Sequence, residues 1–124
     1  MANPNIASAT NLYGNNNYVS LTTTSATQLI SNPAGSGKIF KINLINVSNI
    51  NATVAANITI NLYNQAAIAG TAYPIGNALG VPAGVSLLVV DKSNSIYLLE
   101  NQSIGVTAGA ANYLVVIASW EEIS

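Results

Sequence analysis

Residues 57–63 read Asn-Ile-Thr-Ile-Asn-Leu-Tyr, and aliphatic and polar side chains alternate strictly through this stretch. Successive side chains of a β-strand point to opposite faces, so Ile58, Ile60 and Leu62 share one face and the polar residues share the other. The alternation predicts a strand that is buried on one side only.

The same period of two recurs along the chain. In residues 38–48, Phe40, Ile42 and Leu44 share one face, before Ile45 and Val47 make the second face apolar too. Two further segments, residues 85–90 and 113–120, are apolar on both faces, which predicts strands that are central or covered on both sides. Shorter strands are expected at residues 96–99 and 104–108.

Turn-forming residues separate these segments. They occupy residues 32–37, 69–70, 74–77, 81–84 and 91–94. Seven or eight short strands divided by such turns predict an antiparallel β-sandwich or jelly roll. A helix is conceivable only at residues 66–72, and no linker divides the chain, so a single domain is expected.

Charge is scarce. Of 124 residues, 50% are hydrophobic but only 6% are charged, and the chain contains no His, Cys or Arg. Thiolate and imidazole chemistry, the usual zinc sites and arginine clamps on phosphate are therefore excluded. No nucleophile has a base beside it, and the adjacent Glu121 and Glu122 point to opposite faces of an extended chain. The sequence predicts a non-enzymatic protein without a cofactor or a metal.

The sequence also argues against nucleic acids and membranes as partners. A net charge of -1 cannot neutralise a run of phosphates, which argues against nucleic-acid binding. No apolar stretch approaches the roughly 20 residues that cross a bilayer, and no signal peptide is evident. The segment 32–38, Asn-Pro-Ala-Gly-Ser-Gly-Lys, lacks the residues of a phosphate-binding loop at both of its ends and is interpreted as a turn.

Residues 1–18 contain six Asn and no sustained apolar period, which predicts an extended Asn-rich arm before a sandwich domain at residues 19–124. The arm is either frayed or ordered against a neighbouring subunit.

Few charges guard the edge strands, so we expect other copies to cover them. The candidate subunit or capsid contacts are Asn5, Leu12, Tyr13, Tyr18, Tyr113 and Trp120. Trp120 closes either the core or such a contact. The aromatic residues also allow a sugar-stacking platform, although strand pairing and interfaces use Tyr and Trp more often.

Several segments together resemble small virion structural proteins of tailed bacteriophages, particularly of phages that infect cyanobacteria. The similarity extends over residues 37–124, in 37–63 (GKIFKINLINVSNINATVAANITINLY), 80–92 (GVPAGVSLLVVDK), 95–100 (SIYLLE), 102–111 (QSIGVTAGAA) and the ending ASWEEIS. Residues 1–18 have no counterpart in this resemblance.

The resemblance implies a β-sandwich capsid decoration, or cement, protein. Such a protein would bind between capsomers of the major capsid protein as a homotrimer, on the exterior of a virion assembled in the host cytoplasm. Two alternatives stay open: a tail, neck or fibre component of the virion, and a carbohydrate-binding β-sandwich. The resemblance supplies no catalytic or binding residue.

Overall fold

The structure, a computed structural model, describes residues 4–124, which form two antiparallel β-sheets. Sheet A contains β1 (Leu12–Ser20), β3 (Ile39–Asn49), β6 (Ser86–Val90), β7 (Ile96–Leu98) and β9 (Leu114–Ile123). Sheet B contains β2 (Thr27–Asn32), β4 (Ala56–Gln65), β5 (Ala69–Val81) and β8 (Gln102–Ala108). The predicted antiparallel β-sandwich is confirmed.

The strands pair in a nested order. The first pairs with the last, the second with the next to last, and β4 with β5, so that sheet A runs β1-β9-β3-β6 and sheet B runs β2-β8-β4-β5. β6 and β7 both pair with β3 and are joined by a single 3-10 turn at Lys92–Asn94. Counted as one interrupted strand, they give the eight-stranded order of a jelly roll.

The core lies between the sheets and is aliphatic. Ile58 and Ile60 of β4 are fully buried, as the alternation of residues 57–63 predicts, and Leu62 packs against the same cluster at its margin. Sheet A contributes Ile42, Ile45 and Val47 from β3 and Val116 and Ala118 from β9. Each sheet therefore buries one face, which is the main source of stability in such a fold.

A β-bulge in β3 explains its mixed pattern. The register between β3 and β9 shifts between Ile42 and Leu44. This extra residue reverses the alternation, so Ile42 and Ile45 both point into the core. The expectation that Leu44 shares a face with Phe40 and Ile42 is therefore wrong. Leu44 lies on the outer face of sheet A and is half-buried.

Two buried Asn side chains fasten loops to the sandwich. Asn32 donates to the carbonyls of Lys38 and Leu98, at 2.9 and 3.2 Å, and its Oδ1 accepts from Ser36. These bonds hold residues 33–37 as a turn before β3, as the sequence predicts. Asn49 holds the β3–β4 loop in the same way, because its Nδ2 donates to the carbonyls of Val54 and Val81.

Residues 66–72 form a hairpin connection and the start of β5, not a helix. Ala67 and Ile68 have positive φ angles, and the amide of Ile68 donates to the Ser103 hydroxyl at 2.8 Å. The tip thus folds across the outer face of sheet B. There it covers Gly105, where an added Cβ would lie 2.9 Å from Ile68 and from Tyr63. Residues 74–77, expected to be a turn, belong to the irregular strand β5.

The boundary expected after residue 18 needs correction, because Leu12–Ser20 forms β1 and pairs with β9 along its whole length. Residues before β1 include a short 3-10 turn, Ile6–Ser8, and residues 1–3 lie outside the described part of the chain. β6, which was expected to be central or covered, is not central, and its outer face is not covered within residues 4–124. It lies at an edge of sheet A with Leu88 half exposed.

Candidate assembly surfaces

The charged side chains do not gather into a reactive centre. Within residues 4–124, no group of three His, Cys, Asp or Glu side chains is placed to hold a metal ion. Over the same residues, no helix has the length and apolar character needed to cross a membrane. Asp91 caps the 3-10 turn after β6, where hydrogen bonds from Ser93 hold the pKa of its carboxyl below the ordinary value. The Asp91 carboxylate therefore stabilises a turn.

Glu122 is the most connected charge. One carboxylate oxygen accepts from Lys38 Nζ at 2.9 Å, and the other accepts from Asn15 Nδ2 at 2.8 Å and from Trp120 Nε1 at 3.3 Å. Burial alone would raise the pKa of Glu122, but these hydrogen bonds and the Lys38 charge outweigh it and hold the pKa below its ordinary value. The carboxylate therefore links β1, β9 and the residue before β3. Its hydrogen-bond partners are side chains that hold these strands together.

The outer face of sheet A carries a row of exposed apolar side chains. Tyr18 of β1 lies opposite Ile117 of β9. Ile117 lies opposite Asn46 of β3, which in turn lies opposite Leu88 of β6. Tyr18, Ile117 and Leu88 are 74%, 41% and 50% exposed. We call these four residues the outer row.

No charged side chain stands in the outer row or in the rows beside it. The row on one side contains Ser20, Val115, Ser48 and Ser86, and the row on the other contains Asn16, Ser119 and Leu44. Lys41 and Glu121 lie opposite each other further along β3 and β9. An exposed patch of this kind, apolar and uncharged, is typical of a surface that contacts another protein.

A pocket adjoins the charged end of this face. It has a volume of about 290 Å³ and lies where the segment before β1 crosses sheet A. Its lining residues are Ile6, Ala9, Thr10, Asn11, Leu12, Lys41, Tyr97, Glu121 and Ile123. Ile123 points to the outer face yet is only 5% exposed, because that segment covers it. The residues before β1 thus form part of the outer surface of sheet A.

The candidate contact residues divide into exposed and buried groups. Leu12, Tyr13 and Tyr18 of β1 are more than half exposed. Asn5 is exposed and caps the 3-10 turn, accepting a hydrogen bond from the amide of Ala7 at 3.0 Å. They are available to another molecule.

The other two candidates are less exposed. Tyr113 is half-buried against the core. Trp120 is 7% exposed and stacks on Phe40, so it closes the core, which corrects its assignment as a contact.

The three most exposed Tyr side chains among residues 4–124, those of Tyr18, Tyr13 and Tyr73, do not form a single platform. Tyr13 and Tyr18 differ by an odd number of positions in β1 and therefore point to opposite faces. Tyr73 lies on β5 in the other sheet. A sugar would meet each of these rings separately.

Sequence reasoning missed Ile117 and Leu88 as surface residues. A signal was present, because both strands carry apolar residues on their second faces. The sequence could not distinguish a second face covered within the chain from one left exposed.

No known protein family has a model that matches this chain, and no curated protein matches it. Among solved structures, it is similar to a chain from the work stating that "Bacillus endospore appendages form a novel family of disulfide-linked pili". The two chains are 14% identical with a TM-score of 0.55, over 100% of this chain and 96% of that chain. At this level of identity the likeness shows a shared β-sandwich fold.

Proposed function

We propose that this protein is a non-enzymatic structural subunit that acts by binding other proteins through the outer face of sheet A. The observation that carries the proposal is the outer row, in which three large apolar side chains are exposed without a charge among them. Within this class we propose a capsid decoration protein of a tailed bacteriophage. It would sit on the exterior of the virion and bind between capsomers of the major capsid protein.

The proposal of a structural role is supported by the use of the carboxylates. Both oxygens of Glu122 accept hydrogen bonds, from Lys38, Asn15 and Trp120. One oxygen of Asp91 accepts from Ser93 in a turn. A general base needs a free lone pair within reach of the proton that it removes. These two carboxylates hold strands and turns together instead.

The contact mechanism follows from the small size of the patch. A face with three exposed apolar side chains gives weak binding on its own, because association also costs translational and rotational freedom. Several copies on one particle raise the effective concentration of each contact and so stabilise the whole layer. The homotrimer expected from the resemblance would act in this way and stays a prediction.

Quantitative mass spectrometry of purified particles tests the location. We expect hundreds of copies per particle, comparable with the shell protein. A handful of copies would instead favour the tail, neck or fibre alternative and would overturn the decoration role.

Surface variants test the face. Leu88→Lys and Ile117→Lys should each reduce retention on particles by about tenfold or more, because a charge would be buried in an apolar contact. Tyr73→Lys is the matched control, since Tyr73 is 56% exposed but lies on sheet B. Equal retention of all three variants, each folded by circular dichroism, would contradict the role of this face.

A second candidate function is a subunit of a filamentous appendage, which is favoured by the likeness to the endospore appendage chain. This chain contains no Cys, so disulfide bonds through these residues could not join its subunits. Negative-stain electron microscopy of the purified protein separates the two candidates. Filaments formed by the protein alone would favour the appendage role, and discrete oligomers would favour decoration. Binding of the isolated protein to a glycan array would favour the carbohydrate-binding alternative.

A further inference from the structure

β1 is an edge strand with a free row of backbone groups. Asn11 and Ser124 exchange two hydrogen bonds, and the amide of Leu21 donates to the carbonyl of Leu114. Antiparallel strands alternate between pairs that exchange hydrogen bonds and pairs that do not. The odd-numbered residues between 11 and 21 therefore bond to β9. The even-numbered residues direct their N–H and C=O groups toward the open edge.

The open edge lacks the features that normally prevent strand addition. β1 pairs with β9 from Leu12 to Ser20 without a register shift, and it contains neither a Pro nor a charged side chain. Edge strands usually carry charges, Pro or bulges. β5 shows such protection, since its pairing shifts in three places and it contains Pro74 and a positive φ at Ala78. β1 is therefore a regular edge strand that lacks the protection seen in β5.

We propose that β1 pairs with β1 of a second copy of this chain, antiparallel and about a two-fold axis at Asn16. In this register Leu12 faces the partner's Ser20, Gly14 faces the partner's Tyr18, and Asn16 faces its own counterpart. All of these residues direct their backbone groups to the open edge, so each facing pair exchanges two hydrogen bonds. The contact is isologous and closes at two chains.

Side chains on the outer face fit this register. Gly14 has no atom within 4 Å of the position that a Cβ would occupy, so the surface beside it is open. Tyr18 is 74% exposed, more than any other large hydrophobic side chain among residues 4–124. Two-fold pairing places the partner's Tyr18 ring over Gly14 and repeats the contact symmetrically. An aromatic ring beside a strand glycine covers backbone that would otherwise stay exposed to water.

Asn15 caps the edge in the free chain. The amide of Asn16 donates to Asn15 Oδ1 at 2.9 Å, which occupies one of the outward N–H groups. In the paired state this N–H donates instead to the carbonyl of the partner's Asn16. Asn15 keeps its other bond, from Nδ2 to Glu122, because that bond joins β1 to β9, away from the open edge. The cap is exchanged for a strand hydrogen bond at little cost, since both states satisfy the same donor.

Charge exchange at Asn16 tests the axis, with molar mass measured by light scattering over a concentration series. We expect the wild type to contain an even number of chains, two if free or six if two trimers join. Asn16→Lys and Asn16→Asp place like charges about 5.5 Å apart by Cα, and each should weaken the contact by about tenfold or more. A mixture of the two variants should restore it. Asn77→Lys and Asn77→Asp, on exposed β5, are the controls.

Two outcomes would overturn the proposal. One is a wild type of one or three chains at every concentration. The other is an association that both Asn16 variants leave unchanged, or that their mixture does not restore. Thermal unfolding of each variant at low concentration shows whether the single chain is still folded. If a charge variant does not fold, the cysteine variant below decides the matter.

Cross-linking provides an independent measurement because the chain has no Cys of its own. Asn16→Cys should form an intermolecular disulfide under mild oxidation, since facing Cα atoms about 5.5 Å apart suit the bond. Asn77→Cys gives the rate for an exposed residue outside the contact. Equal rates for the two variants would argue against the pairing. The contact goes beyond the proposed function, because it joins two copies of this chain and is measured on isolated protein, without any particle.

Discussion

Phe40 and Trp120 stack inside the sandwich with ring centroids 6.0 Å apart and an interplanar angle of 25°. Phe40 is the only Phe of the chain and Trp120 the only Trp. They lie on adjacent strands, β3 and β9, and close the end of a core that is otherwise aliphatic. An offset stacked pair of this kind stabilises beyond the area that it buries.

Trp120→Ala should lower the free energy of unfolding by about 3 to 5 kcal/mol, because it removes a large buried side chain and leaves a cavity. Trp120→Phe keeps a ring but removes the N–H that bonds to Glu122, so a loss of about 1 kcal/mol is expected. Urea unfolding of both variants measures the two losses. Equal losses would show that ring volume is not what matters at this site.

Glu122→Gln should destabilise the protein by about 1 to 3 kcal/mol at neutral pH, since the amide nitrogen would face a donor, either Lys38 or the Asn15 and Trp120 pair. Chemical denaturation of the purified variant measures the loss. Glu121→Gln is the control, because Glu121 faces the outer surface of the same strand.

The stabilisation from Glu122 should depend on pH. Its pKa in the folded protein lies below the value of 4.5 that applies without the fold, so the unfolded chain binds the proton more readily. The contribution is therefore complete above pH 4.5 and is lost as the pH falls through the folded pKa. The difference between wild type and Glu122→Gln should shrink over that range, and a constant difference would contradict the assignment.

Asn49→Leu should lower the stability by about 2 to 3 kcal/mol, although Leu is the more hydrophobic residue. The substitution leaves the carbonyls of Val54 and Val81 without their donor in a buried position. Thermal and urea unfolding give the size of the effect. Asn77→Leu, on the exposed part of β5, should change the stability by less than about 0.5 kcal/mol.

Gly105→Ala should be destabilising by about 1 to 3 kcal/mol, because its methyl group would meet the side chains of Ile68 and Tyr63 at 2.9 Å. Gly80→Ala is the matched control on exposed β5. Its nearest neighbour would be 3.9 Å away, so it should be neutral or slightly stabilising. Hydrogen exchange at the amide of Ile68, which bonds to Ser103, would report whether the hairpin tip lifts off sheet B in Gly105→Ala.

The sequence predicts those strands whose alternation is regular. β4 and β8 follow the period of two without interruption on their core faces, and the structure contains both. β2 escaped prediction because a register shift between Gln28 and Ile30 brings Leu29 and Ile30 both into the core. β5 escaped because Pro74 and the three Gly residues within it are typical of turns.

The candidate surface was less accessible to prediction. The sequence shows directly that edge strands and second faces lack charge. It does not show which residues lie side by side, because that depends on how the strands pair. Tyr18 and Ile117 are opposite each other although about a hundred positions separate them. Only the nested strand order brings them together. The placement of Trp120 inside rather than outside depends on the same order, since its neighbour Phe40 belongs to a distant strand.

The position of β9 between β1 and β3 also determines when sheet A can form during synthesis. Until residues 114–123 emerge from the ribosome, a nascent chain contains β1 and β3 but lacks the strand that joins them. Contacts between residues so distant in sequence form slowly and only after the intervening loops close. The exposed row on sheet A therefore appears only after residues 114–123 have emerged, and a translation product truncated before them would not present it.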